Sequence, residues 1–172
     1  MRTLIVLALA GCATAAVACY TPPAEQRVSP GDLIARTKNI VLAEVTKAEL
    51  IRGREVLYTF RRIRTLAGRP EEAFVLAGNA AIWEGNSRTF NHHTDSAFWE
   101  GQGRTPNDSD CKIHPSFAVG GTYLLFLDEP YHVKGFELIM RTGGDKETKD
   151  KWLQFVESSL EPNKSLERTR EE

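Results

Sequence analysis

The sequence predicts a mainly-β domain, a small antiparallel barrel with a short helix before it and an amphipathic helix after it. Three observations predict this. Short runs rich in β-branched and aromatic residues recur between residues 40 and 77 and again after residue 117. Glycine-, proline- and asparagine-bearing turns separate them. Only the stretch after residue 143 carries an extended helical apolar period.

The chain begins MRTLIVLALAGCATAAVA, one charge at Arg2 followed by apolar and small residues, which is the order of a secretory signal. The run is too short and alanine-rich to span a bilayer core of about 30 Å. Residues 1–18 are therefore expected to be removed, with export to the periplasm or the outside. Two cleavage patterns stay open. Ala16-Val17-Ala18 suits an ordinary signal peptidase and leaves Cys19 first, while Leu9-Ala10-Gly11-Cys12 matches a lipoprotein box and places a lipid on Cys12. Lipidation of Cys19 is a third option, and a membrane enters the picture only through such a lipid.

The chain has 172 residues and three cysteines. Processing at either site leaves Cys19 and Cys111, an even pair that an oxidising compartment can bridge, against the alternative of free thiols. A bridge over that long a loop is worth about 4 kcal/mol if unstrained. The residues that remain suffice for one core, a domain over 19–160 followed by a disordered tail over 161–172. A formal net charge of −1 with no basic stripe excludes nucleic acid as the expected partner. Arg61, Arg62 and Arg64 lie within a strand-like run and read as a solvated face.

Residues 20–28 contain Pro22-Pro23 and read as an extended arm. Ser29, Pro30 and Asp32 then spell a helix start, with Leu33 and Ile34 facing inward. Strands are expected over 40–45 and 56–63, joined by a hairpin through the polar stretch 46–55 with Gly53, and a third over 74–77. In the second strand Val56, Tyr58 and Phe60 alternate with Leu57, Thr59 and Arg61. Residues 78–115 are loop-dominated. Residues 122–127 form a continuous apolar run typical of a buried strand, and 132–141 return antiparallel. Gly143-Gly144-Asp145 opens the last helix, with Asp145 as its cap and Trp152, Phe155, Val156 and Leu160 on one face. Beyond Pro162 the residues are polar and mixed in charge.

This element order suggests a barrel of the oligonucleotide/oligosaccharide-binding (OB-like) type. The runs NIVLAEV and VLYTFRRIRTLAG, then Cys111 followed by FAVGGTYLLF, resemble netrin-like domains and the N-terminal domain of tissue inhibitors of metalloproteinases. Exported bacterial proteins share the pattern. The resemblance covers residues 19–140 and implies that Cys19 is bridged to Cys111. It also implies that a free Cys19 amine and carbonyl would meet the zinc of a partner metalloprotease, although Thr21 stands where the inhibitors carry a second cysteine.

His92, His93, Asp95, Asp108, Asp110 and His114 are the one group of metal-ligating types, but their spacing matches no known site, so no metal or other cofactor is expected. Local hydrogen bonding in turns explains such residues equally. Asp108 or Asp110 with His114 would make an acid/base pair, yet no nucleophile motif accompanies them. A repeat sixteen residues apart sets Ala81-Ile82-Trp83-Glu84-Gly85 against Ala97-Phe98-Trp99-Glu100-Gly101. Trp83, Glu84, Trp99 and Glu100 are the candidate ligand contacts, an aromatic face beside an acid. Packing of both tryptophans into the core is the plainer alternative. The expected function is a non-enzymatic binding module for a protein or saccharide. Inhibition of an extracellular metalloprotease through Cys19 is the second reading, and a hydrolase using the aspartate and histidine group the third.

Overall fold

The computed structural model describes residues 23–80, 91–100, 112–128, 130–140 and 150–168. Cys12, Cys19, Cys111, Trp83, Glu84, Asp108, Asp110 and Asp145 lie outside them. Five strands form one antiparallel sheet: β1 (Ile40–Arg52), β2 (Glu55–Ala67), β3 (Ala73–Asn79), β4 (Thr122–Phe126) and β5 (Phe136–Met140), in the order β3-β2-β1-β4-β5. Among the described residues three α-helices accompany it: α1 (Pro30–Arg36), α2 (Ser96–Glu100) and α3 (Lys151–Arg168). The domain is thus mainly β, as expected.

The barrel is not closed. Among the described residues β3 pairs only with β2 and β5 only with β4. Closure would bring those two edges together, but both faces of the central strands are already covered. Ile40, Leu42, Leu124 and Phe126 face the helices and pack with Leu33, Ile34, Trp152, Leu153, Val156 and Leu160. Their alternates Val41, Ala43, Val45, Tyr123 and Leu125 face the other way and pack with Phe60, Ile113, Phe117 and Val133. Successive residues of a strand point to opposite faces, so a strand buried on both reads as a continuous apolar run.

The β1–β2 hairpin is longer than the apolar runs suggest. Both strands continue through the polar stretch 46–55, and only Gly53 and Arg54 make the turn, Gly53 at φ 59°. A glycine with positive φ at the first of two central positions suits a type II′ connection. The ladder shifts register four times, between Ile40/Val41, Leu42/Ala43, Val45/Lys47 and Leu50/Arg52, and such bulges increase bend and twist. Gly78 is required by a close approach, because a Cβ there would strike the Pro115 carbonyl that accepts the Asn79 N–H.

The α1 cap forms as expected: the Ser29 hydroxyl accepts the Asp32 N–H at 3.1 Å and donates to the Asp32 carboxylate at 2.6 Å. The arm before it is not wholly extended, since Ala24–Gln26 make a single 3-10 turn. Its Gln26 carbonyl accepts the Val133 N–H at 3.1 Å, fastening the arm to the β4–β5 connection. In α3 the capping residue is Asp150, whose Oδ1 accepts the Leu153 N–H at 3.0 Å, in place of the expected Asp145. The helix runs on to Arg168, through much of the segment read as a tail. No helix among the described residues is long and apolar enough to cross a membrane.

Candidate functional site

Residues 91–100 bring a histidine into the core. His92 and His93 both have positive φ, 52° and 56°, a left-handed conformation that non-glycine residues seldom adopt. This pair of left-handed residues leaves His92 exposed and turns the His93 side chain inward, to 0% exposure. The His92 carbonyl accepts the Lys151 N–H at 2.9 Å, so the same turn is tied to the start of α3.

The His93 ring lies between two carboxylates. Nδ1 is 2.5 Å from Asp150 Oδ2, and Nε2 is 3.3 Å from Glu137 Oε2. Asp150 is 0% and Glu137 1% exposed. Ionised carboxylates only accept hydrogen bonds, so a ring facing one from each nitrogen satisfies both as the doubly protonated imidazolium. Burial opposes that charge, but the hydrogen bonds His93 donates to Asp150 and to Glu137 and the two negative charges outweigh it, and the His93 pKa is raised above the ordinary histidine value. Lys134, 2% exposed, completes the balance with a second positive charge. Its ammonium donates to the Phe98 carbonyl and lies 4.4 Å from the centre of the Phe98 ring. Burial lowers the Lys134 pKa, with the Glu137 charge opposing.

Phe98 covers the His93 ring at 4.3 Å between centroids, and the Trp99 indole N–H donates to the His93 carbonyl at 3.0 Å. Trp99 also packs against Trp152 and Phe155, at 5.7 and 5.3 Å. The plainer reading of this tryptophan therefore holds for most of its surface. The rest of it, with Glu100, lines a groove of about 180 Å³ completed by Arg27, Val28, Ser29, Pro30, His132, Val133 and Lys134. The groove runs between the arm, α2 and the β4–β5 connection.

His132 forms part of the wall and is held neutral. Its Nδ1 accepts the Lys134 N–H at 3.0 Å, leaving Nε2 to donate to the Val28 carbonyl at 3.0 Å. Burial pushes its pKa down to about 4; the bond to Val28 opposes this, and the charges of Arg36 and Lys134 reinforce it. Arg27 and Glu100 are different in kind. Both are exposed, and among the described residues neither side chain makes a hydrogen bond or an ion pair.

Of the residues of metal-ligating type in the sequence, Asp108 and Asp110 lie outside the described residues. Asp95 is exposed and accepts the Ala97 N–H at 2.9 Å, opening α2. His114 is half-buried beside Ile113, which belongs to the core on the sheet face away from the helices. Among the described residues no group of three histidine, cysteine, aspartate or glutamate side chains is arranged to hold a metal ion. The partners His93 does have, Glu137 and Asp150, were not among the sequence candidates. One signal for Glu137 was present: a lone acid inside Phe136-Glu137-Leu138-Ile139 requires a buried counter-charge. For Asp150 the signal was its place three residues before Leu153, at the head of the apolar period.

No protein-family model matches the chain, and no curated protein matches it.

Proposed function

We propose that the protein is an exported, non-enzymatic binding module that takes its ligand in the groove lined by Arg27, Trp99 and Glu100. The observation that carries this reading is the division of its polar side chains. The histidine and carboxylates with the make-up of an acid/base set, His93, Asp150 and Glu137, spend their hydrogen bonds on one another inside the core. The uncommitted charges, Arg27 and Glu100, stand on the groove beside an aromatic ring. Loops held on a rigid scaffold are the usual seat of binding, and here the sealed set fixes the backbone of the loop that presents Trp99 and Glu100.

Export belongs to the same proposal and rests on residues 1–18. So does the netrin-like, OB-type kinship: the strand order, with β1 flanked by β2 and β4 and with β3 and β5 outermost among the described strands, suits a barrel of the partly open kind.

The test is an array of immobilised saccharides and peptides, probed with the mature chain, with Arg27→Glu and with Glu100→Lys. A ligand retained by the native chain and lost by both variants is the expected result. Turnover of an ester, peptide or glycoside panel that His93→Gln abolishes would overturn the reading. Mass spectrometry of the mature protein is expected to show a chain beginning at Cys19, against a diacylglyceryl mass on Cys12.

A further inference from the structure

The groove has a charge and size that narrow its ligand. Among the described residues its one exposed cation is Arg27, whose planar guanidinium matches a carboxylate with two parallel hydrogen bonds. Behind it the buried charges balance, Lys134 and His93 against Glu137 and Asp150. Lys134 is buried in the groove wall, where its ammonium is little screened by water, and Arg36 lies close enough to act on His132. His132 adds no charge because both its nitrogens are engaged within the fold. An incoming anion therefore meets the hydrated charge of Arg27, with Lys134 already balanced inside the core set.

Glu100 sets the opposite condition. Its exposed carboxylate accepts hydrogen bonds from hydroxyls and repels a second negative charge, so a ligand with one charge and several hydroxyls is favoured over a dianion. The volume of about 180 Å³ falls below the roughly 300–1,000 Å³ of pockets for drug-sized ligands. It admits one ring rather than a length of peptide. Trp99, Val28, Pro30 and Val133 supply apolar surface for the C–H face of such a ring.

We infer that the groove's ligand is a singly charged acidic sugar, a uronic-acid residue of a saccharide, with its carboxylate on Arg27 and its hydroxyls on Glu100. This rests on the binding-module reading above and assigns that site its ligand class.

Titration calorimetry of the mature chain at low salt tests it with three probes: an oligogalacturonide, the same oligosaccharide with its carboxyls reduced to alcohols, and glucose 6-phosphate. The oligogalacturonide is expected to bind about tenfold more tightly than the reduced form, the 1.4 kcal/mol step of one modest charged hydrogen-bond pair. Arg27→Ala is expected to abolish that ratio, and Glu100→Gln to narrow the gap between uronate and phosphate. Equal binding of charged and reduced saccharides overturns the acidic-sugar assignment. If that binding still weakens in both variants, or if only a peptide binds with the same dependence on the variants, the module reading stands without it. No binding by any saccharide or peptide, or binding indifferent to both substitutions, defeats the two together.

Discussion

The sealed set and the open groove meet at Lys134 and use the same residue types in opposite ways. On the core side His93, Asp150, Glu137 and the Lys134 ammonium place two positive charges against two negative ones, each with a near-complete loss of water. On the groove side Arg27 and Glu100 keep their water and are uncommitted among the described residues. Desolvation separates the two. A charge already out of water is destabilising unless its partner remains, whereas a hydrated charge can be removed almost without cost to the fold. The core set is accordingly an element of stability, and the groove set is the one the proposed binding would use. Substitutions should therefore affect stability on one side and binding on the other.

The sharpest way to break this comparison is at Asp150, which both pairs with His93 and caps α3. Asp150→Ala strands a buried imidazolium and removes the cap, so urea denaturation near pH 6.5 is expected to show a loss of about 3–5 kcal/mol. Asp150→Asn keeps a residue equally suited to the cap and removes only the charge, and it should recover about 1 kcal/mol of that loss. A loss below about 1 kcal/mol for the alanine variant would mean the buried pair contributes nothing net, and the distinction between the two regions would collapse.

The two buried histidines sharpen the comparison through pH, because their shifts have opposite signs. His93 has a raised pKa in the fold. Its contribution is complete below the unfolded value of about 6.5 and is lost as pH rises through the folded value. His132 is lowered to about 4, so the fold favours its neutral form. That contribution is complete above pH ~6.5 and is lost as pH falls toward 4, on the order of 3 kcal/mol in total. The pair alone places a stability maximum near pH ~6.5, with a decline on each side. Denaturation midpoints across pH 4.5 to 9 measure it. His93→Gln should flatten the alkaline limb and His132→Phe the acid one. An alkaline limb unchanged in His93→Gln would show that the ring is not an imidazolium.

Much of the fold is legible in the sequence because local chemistry determines it. Ser29, Pro30 and Asp32 start α1 as spelled, and the apolar run over 122–127 becomes the buried strand β4. The outer half of the β1–β2 hairpin was missed for a physical reason: residues 47–52 are exposed on both faces, so no alternation marks them as strand. Their pairing comes from the partner strand and the Gly53 turn. Closure was misjudged because it depends on what covers the sheet, and nothing local says that α3 and residues 113–117 will cover opposite faces. The site divides in the same way. His93 was visible as a chemistry-bearing residue, and Trp99 with Glu100 as candidate ligand contacts. The carboxylates that define His93 lie 44 and 57 residues further along, and only the three-dimensional fold assembles them.

The smallest expected effect on stability is the most informative about function. Arg27→Ala and Glu100→Gln alter exposed side chains that make no hydrogen bond or ion pair among the described residues. Their denaturation free energies are therefore expected to stay within about 0.5 kcal/mol of the parent. A structural residue would not behave this way, and neither would a part of the sealed set. Lys134 links the two regions, so the contrast has an internal control. Lys134→Met leaves Glu137 and Asp150 facing the single charge of His93, and it should destabilise the fold. If Arg27→Ala or Glu100→Gln instead costs as much as Lys134→Met, the groove charges belong to the folding network. In that case a ligand would have no uncommitted charge to meet there.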